Sequence, residues 1–476
     1  MRLAAHITNI TMQQRRVPLA HVVNIARDSA SVNGAACRRL RTTFTSAADS
    51  LCFPHTLCHV GERFELPTLK KFKTPWLELV GGRDPHKGAQ GLWKEMVQVQ
   101  VPGYSHVRWW AWAEITFVIA EAGMNVVGNF ITECEKRDYG DATRKSLRLI
   151  YDEQPDELRL ELAAMLDMRP LVKTTYELEG DRLEVLLVRD RVEALRALGR
   201  SIKAHEDGVL PNVDAVLRRM MELKKGVKVE KHFHGHGLAT GTLQKLEEVD
   251  STLYPGQERD AWLIKYTDGH TEHYEEEELR SAKYGPVPNG EDGKPVLLVR
   301  NLAQRTAICD ALGPGFDYLE ARLTGQGCDA QYSLAEMYEL CRAARAFDPS
   351  FAKNQVNAAF VDGMSAITPL NALGMLADLK LQLPQYLAAA ANAPSFDKGS
   401  VADYSDAVLG WWRDNGTAFP AWALAARVVF AISPNSASCE RVFSLLKNLF
   451  GDEQMSALAD YIQAALMLNY NGRQVG

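Results

Sequence analysis

The sequence predicts a mostly helical α/β chain that carries a small all-β module. A short buried strand over residues 18–28 leads into helix-capping residues and an apolar helix, the order typical of an α/β unit. Residues 140–225 place apolar side chains at helical spacing, and residues 226–282 change to the alternation of β-strands. Helical spacing then resumes, so we expect helices on both sides of a compact β module.

Size and composition fit a globular protein of several domains. The chain has 476 residues, of which 46% are hydrophobic and 24% are charged. Its net charge of -6 excludes a strongly basic surface overall, so any DNA contact must come from a local patch. We find no apolar run long enough to span a bilayer and no secretory signal, and expect no membrane partner. The eight cysteines are spread over the chain, which favours reduced intracellular thiols.

The most informative stretch, residues 433–444, has the sequence Ser-Pro-Asn-Ser-Ala-Ser-Cys-Glu-Arg-Val-Phe-Ser. Pro434 ends the preceding apolar segment, and three of the following residues are good helix caps. Glu440 and Arg441 are then expected in the first helical turn, where a carboxylate suits the helix dipole. Spacing alone leaves open an ordinary capped core helix with these two residues as a surface pair.

The stretch and its flanks resemble the C-terminal dimerisation region of hAT-superfamily DNA transposases. The resemblance is carried by the motif itself, Trp411-Trp412, Phe419-Pro420-Ala421-Trp422 and the terminal Leu468-Asn469-Tyr470-Asn471. It implies that Glu440 matches the last acid of the family's catalytic triad. It also implies a dimerisation motif that includes Ser436, Arg441, Phe443 and Ser444. A nuclear protein that forms a homodimer or higher oligomer is therefore expected.

A block near the N-terminus is similar to the same family. Arg-Asp-Ser-Ala-Ser-Val-Asn-Gly-Ala, followed by Cys-Phe-Pro-His, matches the block with the second catalytic Asp and a Cys-x-x-His. Asp28 matches that Asp. The resemblance also implies that Cys52 and His55 support the active site and belong to its DNA-binding residues. An acid at the carboxyl end of a strand opens onto a crevice, although an isolated Asp is also an ordinary helix cap.

Four soft side chains, those of Cys52, His55, Cys58 and His59, superficially suit zinc. No second ligand pair follows at finger-like spacing, and the neighbouring apolar residues indicate a core. We therefore expect no metal at this position.

Arg108 and Trp109 precede a long helix and resemble a third block of the family, whose Arg-Trp faces the DNA end. Arginine can contact phosphate, and an aromatic ring can stack on an unpaired base. Three tryptophans within four residues are also typical of a core. Lys70, Lys71 and Lys73 could form a phosphate-contacting patch or a solvated face.

The β module resembles a Tudor-type SH3-like barrel. The resemblance is carried by Val-x-Lys-x-Phe, Gly-Thr-Leu, Trp-x-Ile-x-Tyr-x-Asp-Gly and Glu-Glu-Leu, and the Asp-Gly is itself a hairpin signal. Such modules often bind methylated Lys or Arg, because aromatic faces attract a quaternary cation. The cage candidates are Phe233, Trp262, Tyr266 and Tyr274, with Asp268 as the acid. At least one of Trp262 and Tyr266 must be core, because they share a strand face.

The implied fold is an incomplete α/β RNase H-like core, split by a long, mostly α-helical insertion that carries a small all-β SH3-like barrel. The implied domains are 1–125 for the first part of the core, 126–225 for the helical insertion, 226–285 for the barrel, 286–400 for the continued insertion and 401–476 for the dimerisation region that completes the core.

Catalysis in this family requires three acids that hold two Mg²⁺ ions. The chain supplies two of them, since no acidic residue precedes Asp28. We therefore expect an N-terminally truncated, transposase-derived protein without activity, for which Mg²⁺ would be a cofactor only if it were active. The alternative is a chromatin-associated protein that reads a histone-like modified peptide through the barrel. A fragment whose true start lies upstream also remains open.

Overall fold

The structure, a computed structural model, describes residues 22–28, 31–81, 85–99, 102–104, 108–180, 182–234, 236–282, 292–298 and 303–437. The chain divides into two compact units. The first unit comprises Met1–Val60, Lys173–Arg196 and Asp317–Gly476, and the second comprises Gly61–Val172 and Ala197–Phe316. The domain boundaries expected from the sequence stay predictions.

Strands occur in two places in the described part of the chain. They are β1 (Asn24–Arg27), β2 (Ala48–Leu51), β3 (Lys228–Phe233), β4 (Gly237–Asp250), β5 (Glu258–Tyr266), β6 (Thr271–Glu275) and β7 (Val296–Leu297).

The rest of the described chain is mostly helical. The α-helices are α1 (Ser31–Thr43), α2 (Phe53–Gly61), α3 (Pro67–Trp76), α4 (Lys87–Val97), α5 (Trp109–Ala122), α6 (Met124–Lys136), α7 (Asp141–Glu153), α8 (Pro155–Asp167), α9 (Arg169–Leu178), α10 (Glu184–Lys203), α11 (Pro211–Met220), α12 (Glu276–Ser281), α13 (Ala303–Thr324), α14 (Ala335–Ala344), α15 (Pro349–Gln355), α16 (Ala358–Gly363), α17 (Thr368–Ala372), α18 (Leu376–Ala391), α19 (Val401–Asn415) and α20 (Pro420–Phe430). Shorter turns are the π-helix Leu77–Gly81 and the 3₁₀-helices Ala330–Tyr332, Arg345–Phe347, Met364–Ala366 and Gly416–Ala418.

In the first unit, β1 and β2 form a two-stranded parallel sheet connected through α1. Leu40 and Phe44 pack with Ala47 into a small core beside the sheet. The predicted strand before Asp28 is thus confirmed over Asn24–Arg27, and the helix after it is also confirmed. The complete RNase H-like core implied by the resemblance stays a prediction.

The C-terminal helices of the first unit pack around buried aromatic side chains. The rings of Tyr386 and Trp422 stack with centroids 4.2 Å apart. The indole N–H groups of two of these rings have backbone acceptors. Trp412 Nε1 donates to the carbonyl of Phe347 (2.8 Å), and Trp422 Nε1 donates to the carbonyl of Leu379 (2.9 Å). Satisfied polar atoms let these large rings be buried without a desolvation penalty.

The second unit is held by helices with buried aromatic side chains and by two buried helix-capping carboxylates. Glu161 accepts hydrogen bonds from the backbone N–H groups of Thr68 (3.1 Å) and Leu69 (2.6 Å) at the start of α3. Asp167 accepts from Asn212 N (3.0 Å) and Val213 N (3.1 Å) at the start of α11. These N–H groups have no partner inside their own helices, so the carboxylates fix the helix ends.

The β module is a five-stranded antiparallel sheet in the order β6-β5-β4-β3-β7. The hairpin predicted at Asp268-Gly269 is confirmed, and Gly269 has a positive φ of 91°. The expected closed barrel is not found among the described residues. The reason is geometric: β6 and β7 lie at opposite edges, and the two-residue β7 pairs only with β3.

No single helix in the described ranges is long and apolar enough to cross a membrane. The consecutive helices α5 and α6 reach that length and composition only together, across a bend of 97°.

Candidate functional site

In the first unit, the segment 433–437 lies against the carboxyl end of β2 and against β1. The N–H of Phe53 donates to the carbonyl of Pro434 (3.1 Å), and Asn24 Nδ2 donates to the carbonyl of Ser433 (3.3 Å). The N–H of Ser436 donates to Cys52 Sγ (3.4 Å). Both strands run in the same direction, so their carboxyl ends form one edge, and the C-terminal motif begins beside it.

Asp28 follows β1 directly and is half-buried. Its Oδ1 accepts a hydrogen bond from Asn33 Nδ2 (2.7 Å), which holds the carboxylate toward α1. This position agrees with an acid at the carboxyl end of a strand. The catalytic role of Asp28 stays a prediction.

Cys52 and His55 are brought together, with His55 Nδ1 and Cys52 Sγ 3.1 Å apart. Cys52 is only 1% exposed, and its sulfur also accepts from Ser436 N. The ring of His59 instead meets the edge of the Tyr318 ring, with centroids 6.3 Å apart. The Cys52–His55 pair thus connects the start of α2 to the C-terminal segment.

Asp49 on β2, the cross-strand partner of Ile25, is an acid that the sequence interpretation missed. Arg27 donates to Asp49 from Nε (2.8 Å) and from Nη2 (3.1 Å), and also to the carbonyl of Gln331 (2.9 Å). The sequence carried no clear signal for it, because alternation assigns only a strand face and does not identify Arg27 as the partner of Asp49. The Asp49 carboxylate is thus paired with the Arg27 guanidinium.

Side chains of His, Cys, Asp and Glu are spread over the ranges that the structure describes. Within them, no group of three or more His, Cys, Asp or Glu side chains could hold a metal ion. The two-metal centre that the resemblance implies would include Glu440, which lies outside these ranges, so this centre stays a prediction.

Part of the predicted C-terminal motif lies outside the described residues, namely Glu440, Arg441, Phe443 and Ser444. Ser436 is described and buried. Upstream, Asn435 Oδ1 accepts a hydrogen bond from the N–H of Ala437 (2.9 Å), and the helix that this residue was expected to cap lies outside the described residues.

Arg108 and Trp109 lie in the second unit at the start of α5. Trp109 is 9% exposed, and its ring packs so closely on Gly61 that a Cβ there would lie 2.0 Å away. The guanidinium of Arg108 lies 5.3 Å from the centre of the Trp110 ring. Trp109 is thus mainly a core side chain.

Trp109 and Trp112 line a pocket of about 190 Å³ together with Lys70 and Lys73. Lys73 Nζ lies 5.4 Å from the centre of the Tyr104 ring and 5.5 Å from that of Trp112. This part of the second unit therefore combines aromatic side chains with two lysines.

The sheet brings some of the predicted cage residues together. The rings of Phe233 and Tyr266 meet edge to face at 5.1 Å, and Trp262 is the cross-strand partner of Tyr274. Tyr266 is only 2% exposed and belongs to the core. Asp268 instead accepts from the N–H of His270 (2.9 Å) within its own turn.

Two residues that the sequence interpretation did not select, Lys231 and Glu272, lie among these aromatics. Lys231 Nζ is 2.7 Å and 2.8 Å from the two carboxylate oxygens of Glu272 and donates to the hydroxyl of Tyr274 (2.9 Å). The hydroxyl of Tyr266 also donates to Glu272 (3.0 Å). Burial alone would raise the pKa of Glu272, but the hydrogen bonds from Lys231 and Tyr266 lower it overall.

Comparison with known proteins identifies one part of the chain. Residues 386–471 match the model of the hAT family C-terminal dimerisation region. This part of the chain is therefore a hAT transposase-family dimerisation region, which confirms the resemblance there. No curated protein and no solved structure matches the chain.

Proposed function

We propose that the chain is a hAT transposase-derived protein that associates with itself through its C-terminal region. The family match over residues 386–471 carries the proposal. The contacts of segment 433–437 with β1 and Cys52 support it, because they join this region to the α/β part of the first unit.

The surface proposed for self-association is a groove between α19 and α20. It has a volume of about 530 Å³, and its apolar lining includes Leu409, Leu424 and Phe430. Leu409 is 43% exposed and Leu424 is 53% exposed. Exposed leucines on adjacent helices favour a protein partner, and the location within a dimerisation region favours a second copy of this chain.

The charges around the groove suit a second copy. Arg413 and Arg427 line it, while the exposed Asp406, which pairs with Arg182 (3.2 Å), lies one turn before Leu409 on α19. A two-fold contact uses the same surface on both copies, so a surface with both charge signs can complement itself.

The test is a change of Leu424 to Asp. A carboxylate in the centre of an apolar contact is expected to weaken association at least tenfold, because it must be desolvated without a partner. Sedimentation velocity of the full chain measures the oligomer. Leu381→Asp is the matched control, since Leu381 is 75% exposed on α18 and does not line the groove. An unchanged oligomer in Leu424→Asp, or equal loss in both variants, contradicts the proposed surface.

We further propose that the protein binds DNA weakly and does not cut it by itself. Lys70 and Lys73 line the pocket beside Trp109, which is one of the predicted DNA-binding residues. The positive charges of these two lysines support contact with DNA phosphates. Two positions, Asp28 and Glu440, match acids of the three-acid catalytic site of the family. The carboxylate of Asp49 on β2 is already paired with Arg27. Duplex DNA with Mg²⁺ tests both points: fluorescence anisotropy should show binding that weakens with salt, and a gel should show intact DNA. Cutting that is lost in Asp28→Asn would overturn the second point.

A second candidate function is the binding of a modified basic peptide by the sheet. The observation that favours it is the group of Phe233, Tyr274 and Glu272, which has the aromatic faces and the carboxylate that an alkylammonium group requires. The sheet order, with a short helix between β6 and β7, supports the Tudor-like interpretation. Nuclear localisation of the protein is proposed with both functions.

A further inference from the structure

The group of Phe233, Tyr274 and Glu272 on the sheet already surrounds a cation of this chain. Lys231 Nζ lies 4.5 Å from the centre of the Phe233 ring and 5.5 Å from that of Tyr274. The Lys231 side chain is only 3% exposed. Its position follows from the alternation of β3, because Val229, Lys231 and Phe233 share one face of the strand.

The contacts of Lys231 satisfy a buried ammonium. A lysine ammonium has three donors, and here the acceptors are the two oxygens of Glu272 and the hydroxyl of Tyr274. Glu272 also supplies the opposite charge, without which burial of Lys231 would be costly. The ring of Phe233 adds a cation–π contact.

We propose that this is a cation-binding site closed by the chain's own Lys231, and that it takes an external alkylammonium group, such as trimethyllysine, only when the Lys231 side chain is removed. The inference concerns the site of the second candidate function and limits it: the wild-type site is closed to an external ligand, so the two proposals predict opposite results for the wild-type chain. Lys231 is attached to the same sheet, so its effective concentration far exceeds that of a ligand. A trimethylated ammonium also has no N–H group, so it cannot replace the three hydrogen bonds of Lys231.

The surroundings of the site leave an approach for a ligand. Phe233, Trp262 and Tyr274 are partly buried rather than buried, and the Glu272 side chain is 21% exposed. His270 is the other titratable neighbour, with its Nε2 3.4 Å from Glu272 Oε1 and its ring 5.9 Å from that of Phe233. Removal of Lys231 therefore leaves a half-open pocket with an acid at its base.

The test compares the full-length wild-type chain with Lys231→Ala by titration with tetramethylammonium and with a short trimethyllysine peptide, followed by saturation-transfer NMR. We expect binding at least tenfold tighter in Lys231→Ala than in the wild type. Lys228→Ala is the matched control, because Lys228 is an exposed lysine of the same strand, bonded to Thr242. It should behave as the wild type.

Each outcome separates the inference from the candidate function. Binding by Lys231→Ala alone supports the inference and rules out peptide binding by the native site. Equal binding by the wild type overturns the inference and supports the candidate function. Absence of binding in the wild type and in a folded Lys231→Ala overturns both.

A measurement on the wild type keeps the inference testable if Lys231→Ala does not fold. Reductive methylation of the native full-length chain, read by mass spectrometry, should modify the exposed Lys228 and Lys265 at least tenfold faster than Lys231. Methylation of Lys231 at the rate of these two lysines would show that it does not close the site.

Discussion

At the scale of single residues, Gly61 shows how closely the core of the second unit is packed. The Trp109 ring occupies the space where any larger residue at position 61 would place its Cβ. The ring also meets Phe64 edge to face at 5.6 Å. Trp109 therefore cannot move aside without disturbing its other contacts.

We expect Gly61→Ala to lower the free energy of unfolding by about 1–3 kcal/mol, because the methyl group overpacks the core. Gly91→Ala on α4 is the matched control, since no atom lies within 4 Å of the added Cβ. That variant should be stabilised by about 0.5–1 kcal/mol, because alanine favours the helix more than glycine does. Urea denaturation measures both values. A neutral Gly61→Ala would show that the Trp109 ring is free to shift.

The residue scale also explains why Lys231 escaped prediction. The pattern Val-x-Lys-x-Phe places a lysine on an apolar strand face, and this is a visible signal. The carboxylate that neutralises it, Glu272, belongs to β6, which is separated from β3 by two other strands. Sequence alternation assigns a face to each residue but does not identify a partner across the sheet.

At the scale of secondary-structure elements, Asp167 connects the end of α8 to the start of α11. Burial raises the pKa of Asp167 to about 6, although the N–H groups of Asn212 and Val213 favour its charged form. Its ordinary value is 3.8. A raised pKa of a carboxyl group gives stability that is fully present below the ordinary value and is lost as pH rises through about 6.

We expect Asp167→Asn to remove this part of the pH dependence. Between about pH 4 and pH 6 the unfolding free energy of the wild type should fall by up to about 3 kcal/mol relative to the variant. Urea denaturation across this range measures the difference. Asp156→Asn is the control, because Asp156 is exposed on the same helix. Parallel pH curves for the wild type and Asp167→Asn would contradict the prediction.

The elements themselves were largely predictable from the sequence. Local patterns gave the strand before Asp28, the helix after it, the long helices and the hairpin at Asp268-Gly269, because each depends on spacing and turn chemistry within a few residues. The prediction that the β module closes into a barrel was wrong for the described residues. Closure depends on which edges meet, and no local pattern determines that.

At the scale of the whole molecule, self-association should affect stability. If the native chain associates through the groove of Leu409 and Leu424, its melting temperature should rise with protein concentration, because binding stabilises the folded state by mass action. Leu424→Asp should remove that dependence, while Leu381→Asp should keep it. Thermal unfolding at several concentrations therefore complements the sedimentation experiment described above.

The sequence by itself determined the family of the C-terminal region, since the motif near Pro434 and its aromatic flanks are specific enough to recognise without coordinates. Local patterns also predicted most of the helices, the strand before Asp28 and the strands of the β module, but not β2 or β7. The tertiary structure decided three things: that Ser436 meets Cys52, that Trp109 is buried on Gly61, and that Lys231 occupies the predicted cage. These contacts join residues distant in the sequence, and close packing, which local spacing does not encode, selects them.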